Sequence, residues 1–397
     1  MVDTLPPAPW TKRADLAGLV AALGKDNARW VGGAVRDTLL GQPVKDIDCA
    51  TPLEPLEVIR RLTMAGIRSV PTGIDHGTVT AVLPEGPVEI TTLRRDVSTD
   101  GRRATVKYAT DWQEDAARRD FTINALYVDP STLEIFDYFG GIGDLDRRLV
   151  RFIGDARDRI REDHLRILRY YRFQARFGAM LDGEAEEACA ELAPTLKGLS
   201  RERVAAELLN LLALPEPLET IARMHERGVL HAVLPETTRG HLAALSRLIA
   251  SEQSSATLPD PIRRLAALLP PSPPVALEVA ARLRLSKSQR VRLAAAAGRH
   301  AADSDDPLAL AYREGKVSAI DRLLIEGKSI DALQGWDVPT LPLKGGEIVE
   351  RGISEGPAVA RILREVEARW LEEGFPPRER VLEILEQFLA DSWPTSA

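Results

Sequence analysis

The segment that decides the fold reads Trp30-Val31-Gly32-Gly33-Ala34-Val35-Arg36-Asp37, and Asp46-Ile47-Asp48 follows it closely. The mostly apolar residues 28–31 predict a short strand, and the two glycines allow the positive φ and close backbone approach of a ligand-binding turn. Residues 34–40 have helical spacing, and Gly41 predicts the end of that helix. The sequence therefore predicts a strand, a glycine turn and a helix N-terminus, where backbone amides and the charge of Arg36 favour a bound phosphate.

The two aspartates lie on a second predicted strand, residues 44–50. Because side chains alternate along a strand, Asp46 and Asp48 project from one face while Ile47 packs inward. Adjacent carboxylates repel each other unless a cation lies between them, and a hard, oxygen-seeking ion such as Mg²⁺ suits that position. Either feature alone is most often an ordinary turn or a solvated strand. Together, in this order, they predict metal-assisted phosphate chemistry.

The composition permits several domains and one basic region. The chain has 397 residues and a net charge of −7, so it can bury a large core and should divide into two to four domains. Residues 147–176 carry ten arginines, which four acids within that stretch oppose. This pattern indicates either a groove for phosphates or a solvated helix face. The ten arginines are Arg147, Arg148, Arg151, Arg157, Arg159, Arg161, Arg166, Arg169, Arg172 and Arg176.

Cysteine usage and hydropathy indicate a cytoplasmic protein. Cys49 and Cys189 have no metal-binding or redox spacing, so we expect reduced thiols. No apolar run approaches the length of a membrane span, and prolines and charges interrupt any signal-peptide core. The six histidines are scattered without ligand spacing, which argues against a histidine and aspartate metal phosphohydrolase.

The order of predicted elements divides the chain into two classes of structure. Residues 78–83 and 88–93 predict a hairpin, and residues 121–128 and 133–138 predict further strands. Beyond Asp155 strand patterns nearly vanish, so we expect an α/β head followed by an all-helical region. Glu89 lies on the second strand of the hairpin. It becomes a third acid of the metal site if that strand lies beside Asp46 and Asp48, and a surface residue otherwise.

Two further motifs contain candidate nucleotide contacts. Arg118-Arg119-Asp120 precedes an apolar strand, where Arg119 either contacts a triphosphate or ribose or forms a salt-bridged strand cap. Residues 161–173 predict an amphipathic helix that carries Asp163 and Arg166 as neighbours on one face.

A surface salt bridge is the ordinary explanation of that pair. The functional explanation is that a carboxylate accepts from an exocyclic amine while a guanidinium donates to a ring nitrogen or a carbonyl oxygen. Cytosine and adenine both present an amine beside a ring-nitrogen acceptor, whereas uracil and guanine present the reverse. Asp163 and Arg166 would therefore accept C and A and reject U and G.

These motifs, in this order, resemble those of the class II CCA-adding tRNA nucleotidyltransferases and bacterial poly(A) polymerases. The resemblance rests on residues 32–37, 46–48, 89–92, 118–125 and 162–169, and Ser200-Arg201-Glu202-Arg203-Val204 is similar to a later motif of the family. It covers roughly residues 28–235. Residues 343–348 and 356–357 are compatible with it but less specific.

The resemblance implies a polymerase-β-like nucleotidyltransferase head with a mixed sheet and helices, followed by an all-α neck, body and tail. The implied domains are residues 1–150 as the catalytic head, 151–235 as a neck that recognises the base, and 236–397 as a body and tail that bind tRNA. Asp46 and Asp48 would hold Mg²⁺, with Glu89 as a further catalytic acid. The implied nucleotide-binding residues are Gly33, Arg36 and Arg119 at the phosphates, Asp163 and Arg166 at the base, and Arg169 and Arg172 near the nucleotide.

The implied activity is the addition of C, C and A to the 3′ end of tRNA from CTP and ATP, without a nucleic-acid template, by two-metal nucleotidyl transfer. A poly(A) polymerase or an A-adding-only enzyme shares the head motifs and stays an alternative. A non-catalytic RNA-binding protein of the same fold is disfavoured, because it has no need of Asp46 and Asp48. We expect the loop 98–112, with Arg102 and Arg103, to be a moving element. The sequence leaves open whether the protein is a monomer or a homodimer.

Overall fold

A computed structural model describes residues 3–99, 104–353 and 355–392. The chain separates into two compact units. The first comprises Met1–Thr238, Pro259–Pro261 and Ala281–Leu285, and the second comprises Arg239–Leu258, Ile262–Ala280 and Ser286–Ala397.

The first unit contains a mixed sheet of seven strands in the order β3-β4-β5-β2-β1-β8-β9, and β6 and β7 form a separate two-stranded sheet. The strands of the described residues are β1 (Arg29–Val31), β2 (Ile47–Thr51), β3 (Arg68–Gly73), β4 (Thr78–Leu83), β5 (Gly86–Thr92), β6 (Arg94–Thr99), β7 (Ala104–Tyr108), β8 (Leu126–Val128) and β9 (Ile135–Asp137).

Helices are interspersed with these strands, and further helices follow the last strand of the first unit. They are α1 (Ala14–Leu23), α2 (Gly33–Leu39), α3 (Pro55–Met64), α4 (Trp112–Ala117), α5 (Gly141–Asp146), α6 (Ala156–Glu162), α7 (Arg166–Phe177), α8 (Gly183–Leu192), α9 (Arg201–Leu212), α10 (Leu218–Glu226) and α11 (Val229–Val233).

From residue 239 on, the described chain is helical. Its helices are α12 (Arg239–Ser254), α13 (Pro261–Ala267), α14 (Pro273–Arg282), α15 (Lys287–Ala297), α16 (Pro307–Glu314), α17 (Lys316–Ile325), α18 (Gly345–Val349), α19 (Gly356–Glu372) and α20 (Arg378–Ser392). The predicted succession of an α/β head and an all-helical remainder is confirmed. Within the described ranges, no helix is both long enough and apolar enough to cross a membrane.

The pairing of β2 with its neighbours positions the candidate site. β2 is antiparallel to β1, with Val31 opposite Asp48, and parallel to β5, with Asp48 opposite Glu89. β5 is also antiparallel to β4, as the predicted hairpin requires. The condition for Glu89 to lie beside the aspartate strand is therefore fulfilled. The strand itself begins at Ile47, so Asp46 lies one residue before it rather than within it.

The prediction of one strand over residues 121–128 is wrong. Thr122–Asn124 form a 3₁₀ turn, and only Leu126–Val128 form a strand. The reason is a local competition for hydrogen bonds: the carboxylate of Asp120 accepts from the backbone N–H of Phe121 at 2.9 Å and from the side chain of Asn124 at 3.0 Å, which favours a turn.

The described residues of the predicted loop 98–112 are largely in regular structure: residues 98–99 belong to β6, residues 104–108 form β7, which is antiparallel to β6, and α4 begins at Trp112. Arg102 and Arg103 lie outside the described residues. The prediction that this segment moves therefore stays a prediction.

Separate apolar clusters stabilise the two units. In the first, buried Val31, Ala50 and Tyr127 pack with Trp112 and Phe136. In the second, a cluster around Trp370 joins α18, α19 and α20 with Tyr312 of α16. The first cluster includes residues from the strands that carry the candidate site, so these strands rest on a packed layer.

Candidate functional site

A cleft of about 350 Å³ opens in the first unit where β2 and β5 meet the segments around residues 118 and 166. Most of the residues that line it are charged, and the motifs at residues 48, 89, 118–120 and 163–169 all contribute to it. Its lining residues are Val31, Asp48, Cys49, Glu89, Thr91, Arg94, Arg118, Arg119, Asp120, Asp163, Arg166 and Arg169. Segments more than a hundred residues apart in the sequence are thus brought to one surface.

The surroundings of Asp48 in this cleft disfavour its charged form. Burial, together with the nearby charge of Glu89, raises its pKa to about 6, although Arg119 acts in the opposite direction. Asp46 adds a further repulsive charge and is itself exposed. Because like charges at one site favour protonation or a bound cation, this acidic group is suited to a divalent metal ion.

The acids do not form a complete protein cage for a metal. Among the described residues, no group of three or more histidine, cysteine, aspartate or glutamate side chains has a geometry that could hold an ion. Magnesium sites of another kind use one or two carboxylates, while substrate phosphates and water complete the octahedron. Asp48 lines the cleft and Asp46 is not among its described lining residues, so the role of this pair as metal ligands stays a prediction. Glu89 lies beside Asp48, and its role as a further acid stays a prediction.

The glycine turn is brought next to the aspartate, as the sequence pattern suggested. Gly32 has φ 75° and ψ −128°, a conformation that L side chains rarely adopt. A Cβ at this position would lie 3.6 Å from Asp48 Oδ2 and 3.7 Å from Arg119 Nη1. Gly32 therefore provides the unusual backbone angle, whereas Gly33 begins the short helix α2. A phosphate contact of Gly33 stays a prediction.

Arg36 is engaged in the interior of the fold. Its side chain is 5 % exposed, pairs with Asp37 at 2.7 Å, and donates to Asn124 Oδ1 at 2.5 Å. The guanidinium also stacks over the ring of Phe177 at 4.3 Å, and burial lowers its pKa. Neither Arg36 nor Gly33 belongs to the described residues that line the cleft. The expected contact of Arg36 with phosphates therefore lacks support from this geometry.

Asp115 holds the arginine pair of the third motif in place. It accepts from Arg118 Nε at 2.8 Å, from Arg119 Nη2 at 3.3 Å and from the hydroxyl of Tyr127 at 2.6 Å. Burial alone would raise the pKa of Asp115, but the two arginine charges and the Tyr127 hydrogen bond lower it to about 2. The salt bridges are thus present but do not cap a strand, since a 3₁₀ turn follows them, and Arg119 lines the cleft as well.

Sequence reasoning did not identify Asp115. The signal that indicates it is its spacing: it lies three and four residues before Arg118 and Arg119, which is the spacing of neighbours around a helical turn. The residue lies on α4, at the end of which both arginines emerge.

The prediction that one helix carries Asp163 and Arg166 is wrong. α6 ends at Glu162, Asp163 is extended with φ −149° and ψ 103°, and α7 begins at Arg166. The carboxylate of Asp163 accepts from the backbone N–H of Leu165 at 3.1 Å, which favours a turn over a continuous helix. Both side chains nevertheless line the cleft.

Arg166 is anchored by acceptors other than Asp163. Nη1 donates to Glu162 Oε2 at 2.6 Å and to the carbonyl of Arg159 at 2.8 Å, and Nη2 donates to the carbonyl of Arg118 at 3.1 Å. Arg166 therefore ties the start of α7 to the arginine motif. Its orientation is fixed without consuming the carboxylate of Asp163.

Arg169 and Arg172 differ in their relation to the cleft. Arg169 lines it and pairs with Asp120 at 2.6 Å, and this charge contributes to lowering the pKa of Asp120 against the effect of burial. Arg172 pairs with Glu207 at 2.5 Å and is not among the described lining residues. Arg169 is the better placed of the two for a nucleotide.

The arginine-rich stretch 147–176 is less basic in space than in sequence. Acids from outside the stretch neutralise several of its arginines, a contribution that local counting cannot detect. The acids that pair with it from elsewhere are Asp37, Asp120, Asp144, Glu191 and Glu207. Several of these arginines are therefore anchored by acids, and the choice between a phosphate-binding groove and a solvated helix face stays open.

Comparison with known proteins places these motifs in a family. Residues 28–151 match the family model described as the poly A polymerase head domain, and residues 178–240 match the model of a probable RNA and SrmB-binding site of polymerase A. The mitochondrial CCA tRNA nucleotidyltransferase 1 of Mus musculus is 37 % identical over 383 residues, which are 91 % of this chain and 87 % of that protein. The CCA-adding enzyme of Streptococcus pneumoniae (serotype 19F, strain G54) is 41 % identical over 201 residues, which are 50 % of this chain and 49 % of that protein.

The structural comparison agrees and covers most of the chain. The Bacillus stearothermophilus CCA-adding enzyme, solved in complex with CTP, superposes with a TM-score of 0.77 at 26 % identity and covers 97 % of this chain and 99 % of its own. The Thermotoga maritima CCA-adding enzyme, solved with tRNA, shares the fold with a TM-score of 0.68 at 22 % identity, over 95 % of this chain and 94 % of its own. With an identity of 37 % over most of both chains, the protein belongs to the family of CCA tRNA nucleotidyltransferases, the CCA-adding enzymes.

Proposed function

We propose that this chain adds C, C and A to the 3′ end of tRNA from CTP and ATP, releasing pyrophosphate, without a nucleic-acid template. The observation that carries the proposal is its 37 % identity to a CCA tRNA nucleotidyltransferase over 91 % of its length. The cleft supports it, because the residues proposed to bind phosphates and those proposed to recognise the base line one surface.

The proposed reacting end of the cleft consists of Asp46, just before β2, Asp48 on β2 and Glu89 on β5. Family membership implies dependence on a divalent metal ion, and we propose Mg²⁺ held by Asp46 and Asp48, with Glu89 as the neighbouring acid. When bound, the ion would lower the pKa of the RNA 3′-hydroxyl and neutralise charge on the departing pyrophosphate. Arg119 and Arg169, both anchored by buried acids, would stabilise the remaining phosphate charge.

The selective end of the cleft is formed by Asp163 and Arg166. In the described contacts of Arg166, Nη1 donates two hydrogen bonds and Nη2 donates one. The Nε–H and one hydrogen on Nη2 can therefore donate to a base. Each oxygen of Asp163 accepts one described bond and has a further lone pair. A carboxylate that accepts from an exocyclic amine and a guanidinium that donates to a ring nitrogen would suit C and A and oppose U and G.

The proposed domains are those that the family resemblance implies. We propose residues 1–150 as the catalytic head, 151–235 as the base-recognising neck, and 236–397 as the tRNA-binding body and tail. The end of the first unit's main segment at Thr238 lies near the second of these boundaries. A cytoplasmic location is part of the proposal, and the two free, buried cysteines are compatible with it.

The proposal is tested by incubating the purified protein with tRNA that lacks its terminal CCA. CTP alone should add two C residues, ATP alone should add little, and the two together should give a complete CCA end by sequencing of the product. Long A tracts from ATP alone would instead establish a poly(A) polymerase. If no nucleotide is added to the tRNA, the remaining alternative is a non-catalytic RNA-binding protein.

A further inference from the structure

Trp10 contacts the structure on both sides of the glycine turn. Its ring packs edge-on against that of Trp30 on β1, with the ring centroids 5.9 Å apart and the ring planes at 84°. Its indole Nε1 donates to Thr38 Oγ1 on α2 at 2.8 Å. All three side chains are buried, so water does not compete for the hydrogen bond. One side chain thus joins β1, which precedes the turn, to α2, which follows it.

The turn itself does not fix the angle between β1 and α2. Gly32 has no Cβ and has φ 75° and ψ −128°, so its backbone can rotate at little steric cost. The helix α2 is seven residues long, and at that length tertiary contacts rather than helical hydrogen bonds decide where a helix lies. A side chain that contacts the chain before and after Gly32 therefore restricts rotation about this glycine.

The angle between β1 and α2 matters because the turn lies against the reacting end of the cleft. A Cβ on Gly32 would lie 3.6 Å from Asp48 Oδ2 and 3.7 Å from Arg119 Nη1. Val31, the residue before the turn, is opposite Asp48 in the pairing of β1 with β2. Rotation of α2 about Gly32 would change these spacings, and a misplacement of about 1 Å can cost about 100-fold in rate.

The segment that carries Trp10 is attached to the sheet on both sides of the indole. Before it, the backbone N–H of Leu5 donates to the carbonyl of Leu133, close to β9, at 2.8 Å. After it, Arg13 Nη2 donates to the carbonyl of Gly86, the first residue of β5, at 3.1 Å. Trp10 is therefore held by a fixed segment and can transmit that rigidity to the turn.

Other contacts of α2 hold the helix without reaching β1. Arg36 donates to Asn124 Oδ1 at 2.5 Å, and Asp37 pairs with Arg176 at 3.2 Å. Among the described contacts of these two side chains, none is to a residue of β1. They continue to anchor α2 when Trp10 is changed, so a substitution at Trp10 tests the angle at Gly32 rather than the presence of the helix.

We propose that Trp10 is a positioning residue for nucleotidyl transfer, which acts by holding β1 and α2 at the angle that keeps the Gly32 backbone against Asp48 and Arg119. The inference rests on the proposed function and extends it to a residue outside the described lining of the cleft. Trp10 also precedes residues 28–151, the part of the chain that matches the head-domain model. Because the link acts on the reacting end of the cleft, its loss should slow transfer from CTP and from ATP alike.

The first test compares Trp10→Phe with the matched control Trp370→Phe. Phenylalanine keeps an aromatic ring near Trp30 but removes the donor to Thr38. Trp370 lies in the apolar cluster of the second unit and donates from Nε1 to the carbonyl of Pro376 at 2.9 Å, so its replacement removes a comparable bond. Trp10→Phe should lower kcat for CTP and for ATP by about three- to tenfold, with KM within about twofold. Trp370→Phe should leave kcat unchanged.

The second test removes the acceptor instead of the donor. Thr38→Val should lower kcat as Trp10→Phe does, and Thr38→Ser, which keeps the hydroxyl, should restore most of it. The double variant Trp10→Phe/Thr38→Val should be little slower than either single variant, because both substitutions remove the same bond. An unchanged kcat in Trp10→Phe, a fall confined to one nucleotide, or fully additive effects would each overturn the proposal. Thermal melting gives the folded fraction to which each kcat refers.

Hydrogen exchange keeps this outcome separate from the proposed function. By mass spectrometry, the amides of residues 31–38 should exchange about three- to tenfold faster in Trp10→Phe than in the wild type, and at the wild-type rate in Trp370→Phe. If the wild-type protein adds neither C nor A to tRNA, the proposed function fails. The exchange rates then still decide whether Trp10 holds the turn: faster exchange in Trp10→Phe supports this role, and unchanged exchange overturns it.

Discussion

Two groups of arginines in this protein form ion pairs with buried carboxylates but differ in their surroundings. At the cleft, Arg118 and Arg119 pair with Asp115, and Arg169 pairs with Asp120. In the second unit, Arg263 and Arg264 pair with Glu252, with Arg263 Nη1 to Glu252 Oε1 at 2.8 Å and Arg264 Nη2 to Glu252 Oε2 at 2.8 Å. In both groups buried carboxylates fix the guanidinium groups, and one carboxylate in each group binds two arginines.

The groups differ in what the guanidinium faces. Each cleft arginine is held from one side while it lines a space of about 350 Å³. In the second unit Glu252 and Arg264 are 2 % and 1 % exposed, and Asp321, at 0 %, binds Arg263 and Arg292 from a third helix. An anchored arginine with an exposed edge can bind a ligand, whereas an enclosed one specifies how helices pack.

The largest expected effect is the loss of catalysis when Asp46, just before β2, or Asp48, on β2, is replaced. Asp46→Ala or Asp48→Ala should reduce labelled CMP incorporation into tRNA by about 10³-fold or more, because phosphoryl transfer depends on charge stabilisation at this end of the cleft. The tRNA dissociation constant should stay within about twofold. Retained turnover in either variant would contradict the metal assignment.

Asp48→Asn should separate catalysis from folding. Since burial and Glu89 raise the pKa of Asp48 to about 6, removing its charge should leave the melting temperature in EDTA equal to or above that of the wild type. Asp26→Asn, at an exposed position, provides the control. A marked fall in melting temperature would show that Asp48 has a structural role instead.

The second largest effect is a loss of stability, expected when the enclosed ion pairs of the second unit are broken. Glu252→Gln should destabilise the protein by about 3–5 kcal/mol in urea denaturation, because it leaves the enclosed Arg263 and Arg264 without their shared counter-charge. The control Glu219→Gln breaks a 2.8 Å pair with Arg223 in which the glutamate is 87 % exposed, and should cost less than about 0.5 kcal/mol. Nucleotide preference should not change in either variant. Similar stabilities of the two variants would refute the distinction between enclosed and exposed pairs.

A smaller effect is expected at the anchor of the cleft arginines. Asp115→Asn should lower kcat/KM for CTP and ATP by about 10- to 100-fold and to the same extent, because Asp115 holds Arg119, for which we propose contact with phosphates rather than bases. The matched control is Asp111→Asn on the same helix, where the side chain caps the N-terminus and asparagine replaces aspartate at little cost. A loss confined to one nucleotide would place Asp115 in base selection.

The smallest effect is expected for an arginine outside both groups. The side chain of Arg161 is 55 % exposed, and among the described contacts it pairs only with Asp158, at 2.9 Å, whose side chain is 70 % exposed. Arg161→Ala should shift stability by less than about 0.5 kcal/mol and leave the salt dependence of tRNA binding unchanged. A clear fall in the slope of log Kd against log salt would instead show that the stretch 147–176 acts as a continuous basic groove.

Local patterns predicted much of the fold and the reacting end of the cleft. The strand, glycine turn and helix at residues 29–39 follow from glycine conformation and helical spacing, and the hairpin placed Glu89 where pairing with Asp48 was possible. The break at Asp163 was missed, because the helical apolar pattern continues through it and one backbone N–H decides the turn.

Long-range partners could not be predicted from local sequence. Glu207 lies 38 residues from Arg169, and Arg203 lies 40 residues from Asp163, so no short motif reports either pair. The burial of Arg36 depends on Asn124 and Phe177 in the same way. The sequence therefore indicates which residues are chemically suited to the site, and tertiary packing decides which of them face the cleft.

The measurement that tests the central claim most directly is nucleotide discrimination by the Asp163→Ala/Arg166→Ala double variant. The measured quantity is the ratio of incorporation of C and A over U and G into tRNA lacking CCA. Since both recognition groups are gone, this ratio should fall by at least about tenfold relative to the wild type, down to a complete loss of preference. The Asp46 and Asp48 end of the cleft remains intact in this variant, so residual turnover is expected. Turnover with unchanged preference for C and A would contradict the claim that Asp163 and Arg166 select the base.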